Sequence, residues 1–165
     1  MKIRTIIIDD EVRGLKIIEH FVSSNNDIEI IASISDAEEA IEVINKMKPQ
    51  LIILDIHIPK FNGFEILERV NFREFKTIFV TAYNEYAIKA FKYSAIDYLL
   101  KPLDEVLFSD AIKKVVEQIN QTNIKTDLKT LIHNVTSIKD PMAMKICILF
   151  IPTKLTHQMA LKLTP

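Results

Sequence analysis

The sequence predicts an α/β domain, a doubly wound, five-stranded parallel sheet covered by five helices. Three observations carry that prediction. Short β-branched apolar runs recur along the first 120 residues, segments with helical apolar spacing alternate with them, and Asn, Asp, Ser and Pro punctuate the joins. Strands that are apolar on both faces suit a sheet buried between two helical layers, and consecutive parallel strands need right-handed helical crossovers. At 165 residues, 48% of them hydrophobic, the chain can build one domain with a core plus an appendage, and is too short for two full-sized domains.

The first run, Ile3 with Ile6, Ile7 and Ile8, ends in carboxylates and reads as a central strand. Val12, Leu15, Ile18 and Val22 then fall at helical spacing, and the polar stretch from Ser23 to Asp27 supplies a turn. Residues 28–32 form the second strand. Asp36 stands where an N-cap belongs, before a helix over 37–47 that Pro49 ends. Residues 51–54 are a third buried strand, and it too ends on an acid, Asp55. A short helix over 64–70, a strand over 77–80, a helix over 86–92, a strand over 95–99 and a helix over 103–119 complete the alternation. Asn120, Gln121, Thr122 and Asn123 read as a hinge or a frayed helix end, 128–135 as a further helix, and 146–151 as a strand-like run before Pro152.

Charge divides at the same place. The whole chain has a net charge of −1, but residues 1–120 hold 15 basic and 20 acidic residues, whereas 121–165 hold 6 and 2. No global field attracts nucleic acid or an anionic membrane. The six lysines of the tail, without a single arginine or an interleaved aromatic pattern, read as a solvated linker rather than a DNA-binding surface. One cysteine, Cys147, excludes an intramolecular disulfide framework and a cysteine-rich metal site, and fits a reducing compartment. The N-terminus lacks the pattern of a signal peptide and no stretch reaches membrane-spanning length, so the expected location is the cytoplasm, with no membrane partner.

In an open parallel sheet, ligands bind beyond the carboxyl ends of the strands near a topological switch point. The residues there are Asp9, Asp10 and Glu11, then Asp55, then Thr81 and Ala82, then Lys101 and Pro102. Acids from two neighbouring strands repel at close range, which raises a pKa or requires a cation. An oxygen-only donor set with open positions suits Mg²⁺, which keeps water ligands and is completed by a phosphate. Thr81 adds a hydroxyl donor and Lys101 a fixed positive charge for phosphoryl oxygens. Together these are the parts of a phosphoryl-transfer site in which Asp55 is the nucleophile. Taken singly, each has a plainer reading: helix N-terminal acids, a strand-end threonine, a solvated lysine. Their joint spacing decides for the site.

That spacing carries a resemblance. The Asp9-Asp10 pair, Leu-Asp-Ile-His-Ile-Pro around Asp55, Gly63, Thr81-Ala82 and Lys101-Pro102, separated by 45, 26 and 20 residues from Asp10 to Asp55 to Thr81 to Lys101, resemble the receiver domain of bacterial two-component response regulators. The likeness covers residues 1–120 and implies a flavodoxin-like (CheY-like) fold. Within the family, Thr-Ala-Tyr-Asn-Glu-Tyr-Ala-Ile-Lys-Ala-Phe from Thr81 and Asp-Tyr-Leu-Leu-Lys-Pro from Asp97 are most similar to the LytTR (LytR/AlgR-type) transcription regulators.

The resemblance implies that Asp55 accepts a phosphoryl group from a phosphohistidine of a sensor histidine kinase. Asp9, Asp10, Asp55 and the backbone carbonyl of His57 would hold Mg²⁺, Thr81 and Lys101 would bind phosphoryl oxygens, and Tyr98 would turn inward as Thr81 moves. It also implies a cis bond before Pro102, and a homodimer through the face of the fourth helix, fifth strand and fifth helix, where Ile88, Phe91, Ile96 and Tyr98 lie. The His57 side chain is expected over the site rather than on the metal, with Tyr83 shielding the acyl phosphate. His20, His133 and His157 have no carboxylate or cysteine at ligand spacing and read as surface residues. Such a protein promotes its own phosphorylation and dephosphorylation without being a conventional enzyme. Residues 121–165 are expected to be a linker and the truncated, partly disordered start of an output domain, through which alone DNA would be bound. Two further classes compete: a stand-alone receiver acting by protein contact or phosphorelay, and a small-molecule binder of the same fold. The second lacks a phosphate-cradling loop, since the only glycines are Gly14 and Gly63.

Overall fold

A computed structural model of the chain describes residues 2–136, with side chains described for residues 2–121 apart from Phe91. Five strands, β1 (Ile3–Ile8), β2 (Ile28–Ile34), β3 (Leu51–Leu54), β4 (Lys76–Thr81) and β5 (Asp97–Leu100), form one parallel sheet in the order β2-β1-β3-β4-β5. Five helices alternate with them: α1 (Val12–Ser23), α2 (Ala37–Met47), α3 (Gly63–Arg69), α4 (Ala87–Lys92) and α5 (Glu105–Thr136). The chain divides into two compact units, Met1–Ile119 and Asn120–Pro165. No described helix is long and apolar enough to cross a membrane.

The apolar runs pack as two-sided strands must. Ile6 and Ile8 of β1, Ile52 and Leu54 of β3 and Phe79 of β4 face α2, α3 and α4. Ile3 and Ile7, Leu51 and Ile53, and Ile78 and Val80 face α1 and the part of α5 within the first unit. Strand alternation thus feeds two cores from one set of short sequences. On the first face, Phe64 packs against Phe79 and Tyr93 with ring centroids 4.9 and 5.0 Å apart. Asp36 caps α2, accepting hydrogen bonds from the amides of Glu38 and Glu39. Asn62 starts α3 with a capping box: its side chain accepts from the amides of Phe64 and Glu65, while the Glu65 carboxylate accepts from the Asn62 amide.

The structure refines several expectations. Val12 is 61% exposed, so the buried stripe of α1 is Gly14, Ile18 and Val22; as the first helical residue Val12 precedes the turn that packs on the sheet. Residues 120–123 are helical and no separate helix covers 128–135, because α5 runs unbroken to Thr136. Asn and Thr are mediocre helix formers, but Gln is a good one, and without glycine or proline nothing breaks the hydrogen-bond ladder. The fifth strand starts two residues later than expected: Ser94 takes a positive φ of 54° and the Ile96 amide reaches back to the Thr77 carbonyl before regular pairing begins. Likewise α5 begins at Glu105, since Asp104 accepts from the Leu107 amide and caps the helix. The strand-like run 146–151, Cys147 and His157 lie outside the described residues, as does the His133 side chain.

Candidate functional site

The carboxyl ends of β1, β3, β4 and β5 meet on one edge of the sheet, beside the point where the strand order switches from β2-β1 to β1-β3. Backbone hydrogen bonds continue the ladders just past the strands and set the site residues side by side. The Asp9 amide donates to Ile34, the Asp55 amide to Ile8, and the Lys101 amide to Thr81. Asp9, Asp55 and Thr81 are buried, while Asp10 and Lys101 are partly exposed. The charges of this edge are thus mostly withdrawn from solvent.

One ammonium bridges two of the acids. Lys101 Nζ donates to Asp55 Oδ2 at 2.6 Å and lies 2.8 Å from Asp9 Oδ2. The second contact is an ion pair without hydrogen-bond geometry, and Asp9 Oδ2 has no hydrogen-bond partner. The other oxygen, Oδ1, accepts from the Glu11 amide at 2.9 Å. Asp55 Oδ1 accepts from the His57 amide at 3.1 Å. Burial pushes the Asp9 carboxyl above its usual range, and the opposing pull of Lys101 and the Glu11 amide does not cancel it. Burial alone would lower the Lys101 ammonium, but Asp55 and then Asp9 outweigh it and hold it above its usual value.

Carboxylate oxygens of Asp9, Asp10 and Asp55 lie within 4.8 Å of one another. Three negative groups against one ammonium fit a hard divalent cation, which asks for oxygen donors and tolerates water in the remaining positions. The Thr81 hydroxyl is buried and has no hydrogen-bond partner either. Buried polar groups are normally paired, so an orphan hydroxyl beside an acidic cluster fits a bound oxyanion.

Around these charges stands an aromatic rim. The His57 ring is exposed and its centroid lies 5.5 Å from that of Tyr83. Tyr83 in turn lies 6.2 Å from Tyr86, and the Tyr98 hydroxyl donates to the Tyr83 carbonyl. Burial, and next the charge of Glu85, raises the Tyr98 phenol above its usual value. The Lys101-Pro102 peptide is cis. His20 is exposed and lies away from the cluster, beside Phe21.

Both glycines touch the site. Gly63 donates to the Ile56 carbonyl, and a Cβ on it would come within 2.5 Å of the Asp55 carbonyl oxygen. Gly14 packs against Asp9. Gly63 belongs to the motif that carries the resemblance, whereas Gly14 lies in neither that motif nor a glycine-rich loop, so sequence offers no signal for its close approach.

The chain is similar to known proteins in sequence and in fold. A family model described as the response regulator receiver domain matches residues 5–113. The transcriptional regulatory protein BtsR of Escherichia coli is 35% identical over 139 residues, covering 83% of this chain and 56% of that protein. An uncharacterised response regulatory protein of Shewanella oneidensis is 42% identical over 114 residues, covering 68% of this chain and 48% of that protein. The chain spans about half the length of these relatives. Among solved structures, the response regulatory domain of protein mrkE from Klebsiella pneumoniae superposes with a TM-score of 0.66 at 28% identity, covering 72% of this chain and 98% of that one.

Proposed function

The chain belongs to the response regulator receiver family, and from that premise we propose that it is a Mg²⁺-dependent phosphoacceptor switch working through Asp55. The observation that carries the reading is the convergence on Asp55 of a bridging ammonium and two further carboxylates; the orphan hydroxyl of Thr81 at the end of the neighbouring strand supports it. A carboxylate is a weak nucleophile toward an anionic phosphoryl group unless charge is neutralised around it. Asp9, Asp10 and Asp55, with the His57 carbonyl, would hold Mg²⁺, which when bound offsets the charge of the carboxylates and of phosphoryl oxygens.

In the proposed reaction, an Asp55 oxygen attacks the phosphorus of a phosphohistidine on a sensor histidine kinase. The P–N bond breaks, the P–O bond of an acyl phosphate forms, and the histidine leaves with the bonding pair and takes up a proton. Lys101, already on Asp55, shifts its ammonium to a phosphoryl oxygen. The Thr81 hydroxyl donates to another, gaining the partner it lacks. Movement of Thr81 carries the loop that follows it, and the Tyr98 hydroxyl, bonded to the Tyr83 carbonyl of that loop, responds by turning inward. The ring pair of His57 and Tyr83 would limit water at the acyl phosphate.

The proposed output is regulation of transcription by a longer protein of the LytTR type, with residues 1–120 as receiver and 121–165 as the linker into a DNA-binding domain. The relative named as a transcriptional regulator and the residues from Thr81 to Phe91 support that reading. Phosphorylation is proposed to favour a homodimer through α4, β5 and α5 by shifting an existing equilibrium. Intact-protein mass after incubation with acetyl phosphate tests the core of the proposal. One phosphoryl adduct is expected with Mg²⁺, and none after chelation or in Asp55→Asn; an adduct that persists in Asp55→Asn sinks the assignment.

A further inference from the structure

Gly14 is the third residue of α1, buried, and without the positive φ that would call for glycine. Glycine weakens a helix through backbone entropy, so its presence here needs another reason. The reason is space. A Cβ on residue 14 would lie 2.2 Å from Asp9 Oδ2, 2.6 Å from its Cγ and 2.8 Å from Oδ1. Non-bonded heavy atoms settle at about 3.5–4.0 Å, so the Asp9 carboxylate occupies the volume that any other side chain would take.

The carboxylate must shift to admit a Cβ, and it is tethered where it lies: its Oδ1 is held by the Glu11 amide at 2.9 Å, its Oδ2 lies 2.8 Å from Lys101 Nζ, and the residue is fully buried. A shift that clears the Cβ strains these contacts and alters the spacing of Asp9 from Asp10 and Asp55. We infer that Gly14 is a positioning residue for the cation site: its missing side chain seats Asp9 against α1 and so sets the affinity of the carboxylate cluster for Mg²⁺. The inference rests on the reading of that cluster as a Mg²⁺ site. Mg²⁺ demands near-ideal octahedral geometry, which makes its affinity sensitive to a shift of one carboxylate.

The test is calorimetric titration of Mg²⁺ alone into the unphosphorylated chain, its Gly14→Ala and Asp9→Ala variants, and the double variant. Gly14→Ala is expected to weaken binding by about tenfold, the low end of the effect of losing a residue that orients a metal ligand. The half-saturating Mg²⁺ for phosphorylation by acetyl phosphate should rise in parallel, ahead of any fall in the maximal rate. With the Asp9 carboxylate already removed, Gly14→Ala should change Mg²⁺ affinity no further. Equal affinity of the wild type and Gly14→Ala, or an equal loss in both backgrounds, overturns the inference while leaving the proposed function intact. A wild-type chain that binds no Mg²⁺ overturns both. Should Gly14→Ala fail to fold, the double variant decides: regained folding supports the contact with Asp9, and continued failure refutes it.

Discussion

Thr81 shows how a single residue can be costly to the fold and useful to the site. Its hydroxyl is fully buried with no partner, an arrangement that forfeits the hydration of a polar group. Replacing it with the near-isosteric valine removes that cost. Thr81→Val should therefore raise the unfolding free energy by about 1 kcal/mol, measured by urea denaturation without Mg²⁺, while weakening the dimerisation proposed to follow phosphorylation. A loss of stability would mean that the hydroxyl has a partner in solution. The chain order also announced Asp9, Asp55 and Lys101, because acids and a lysine at strand ends are unusual enough to be noticed. It gave no notice of Gly14, since a helical glycine looks the same whether it accommodates a carboxylate or nothing.

At the scale of elements, caps explain where helices begin. The Asn62 capping box pairs two otherwise orphan amides at the start of α3, the helix that brings Gly63 and Phe64 against the strand bearing Asp55. Asn62→Ala should cost about 1 kcal/mol of stability, with a lower midpoint in thermal unfolding. Asp36 makes a pH-dependent cap. The Glu39 amide first, with help from Lys60 and the Glu38 amide, holds its carboxyl below the usual value of 3.8. Its contribution is therefore present above pH 3.8 and lost as pH falls through the lower folded value. Comparing Asp36→Asn with the wild type by acid titration should show the variant gaining relative stability below about pH 4. A constant difference across that range would remove Asp36 from the acid response. Capping was legible at Asp36 because an acid followed by an apolar-periodic run is a known start signal. It was missed at Asp104, where Pro102 and Leu103 drew the helix start forward.

For the whole molecule, the proposed switch acts through a surface. Ile88 on α4 is 79% exposed and Leu100 on β5 is 48% exposed, beside the Lys114–Asp97 ion pair that joins α5 to β5. An apolar side chain so placed gains by burial against a second copy. Ile88→Glu should leave Asp55 phosphorylation unchanged and abolish the increase in mass on phosphorylation seen by light scattering. Persistence of the dimer would move the interface to another face. The continuous α5 belongs to this scale too: polar residues 120–123 resembled a hinge locally, yet local propensity alone does not end a helix whose preceding turns are anchored on a sheet by Phe108, Ala111, Ile112 and Val115.

The five strands, their helices and the acids, hydroxyl and lysine at their ends were all readable along the chain, because hydrophobic period and residue chemistry are local properties. The position of Lys101 between Asp9 and Asp55, the orphaned Thr81 hydroxyl and the space at Gly14 were not. Those depend on distances across four strands far apart in sequence, and only the packing of the sheet between its helices brings them to contact.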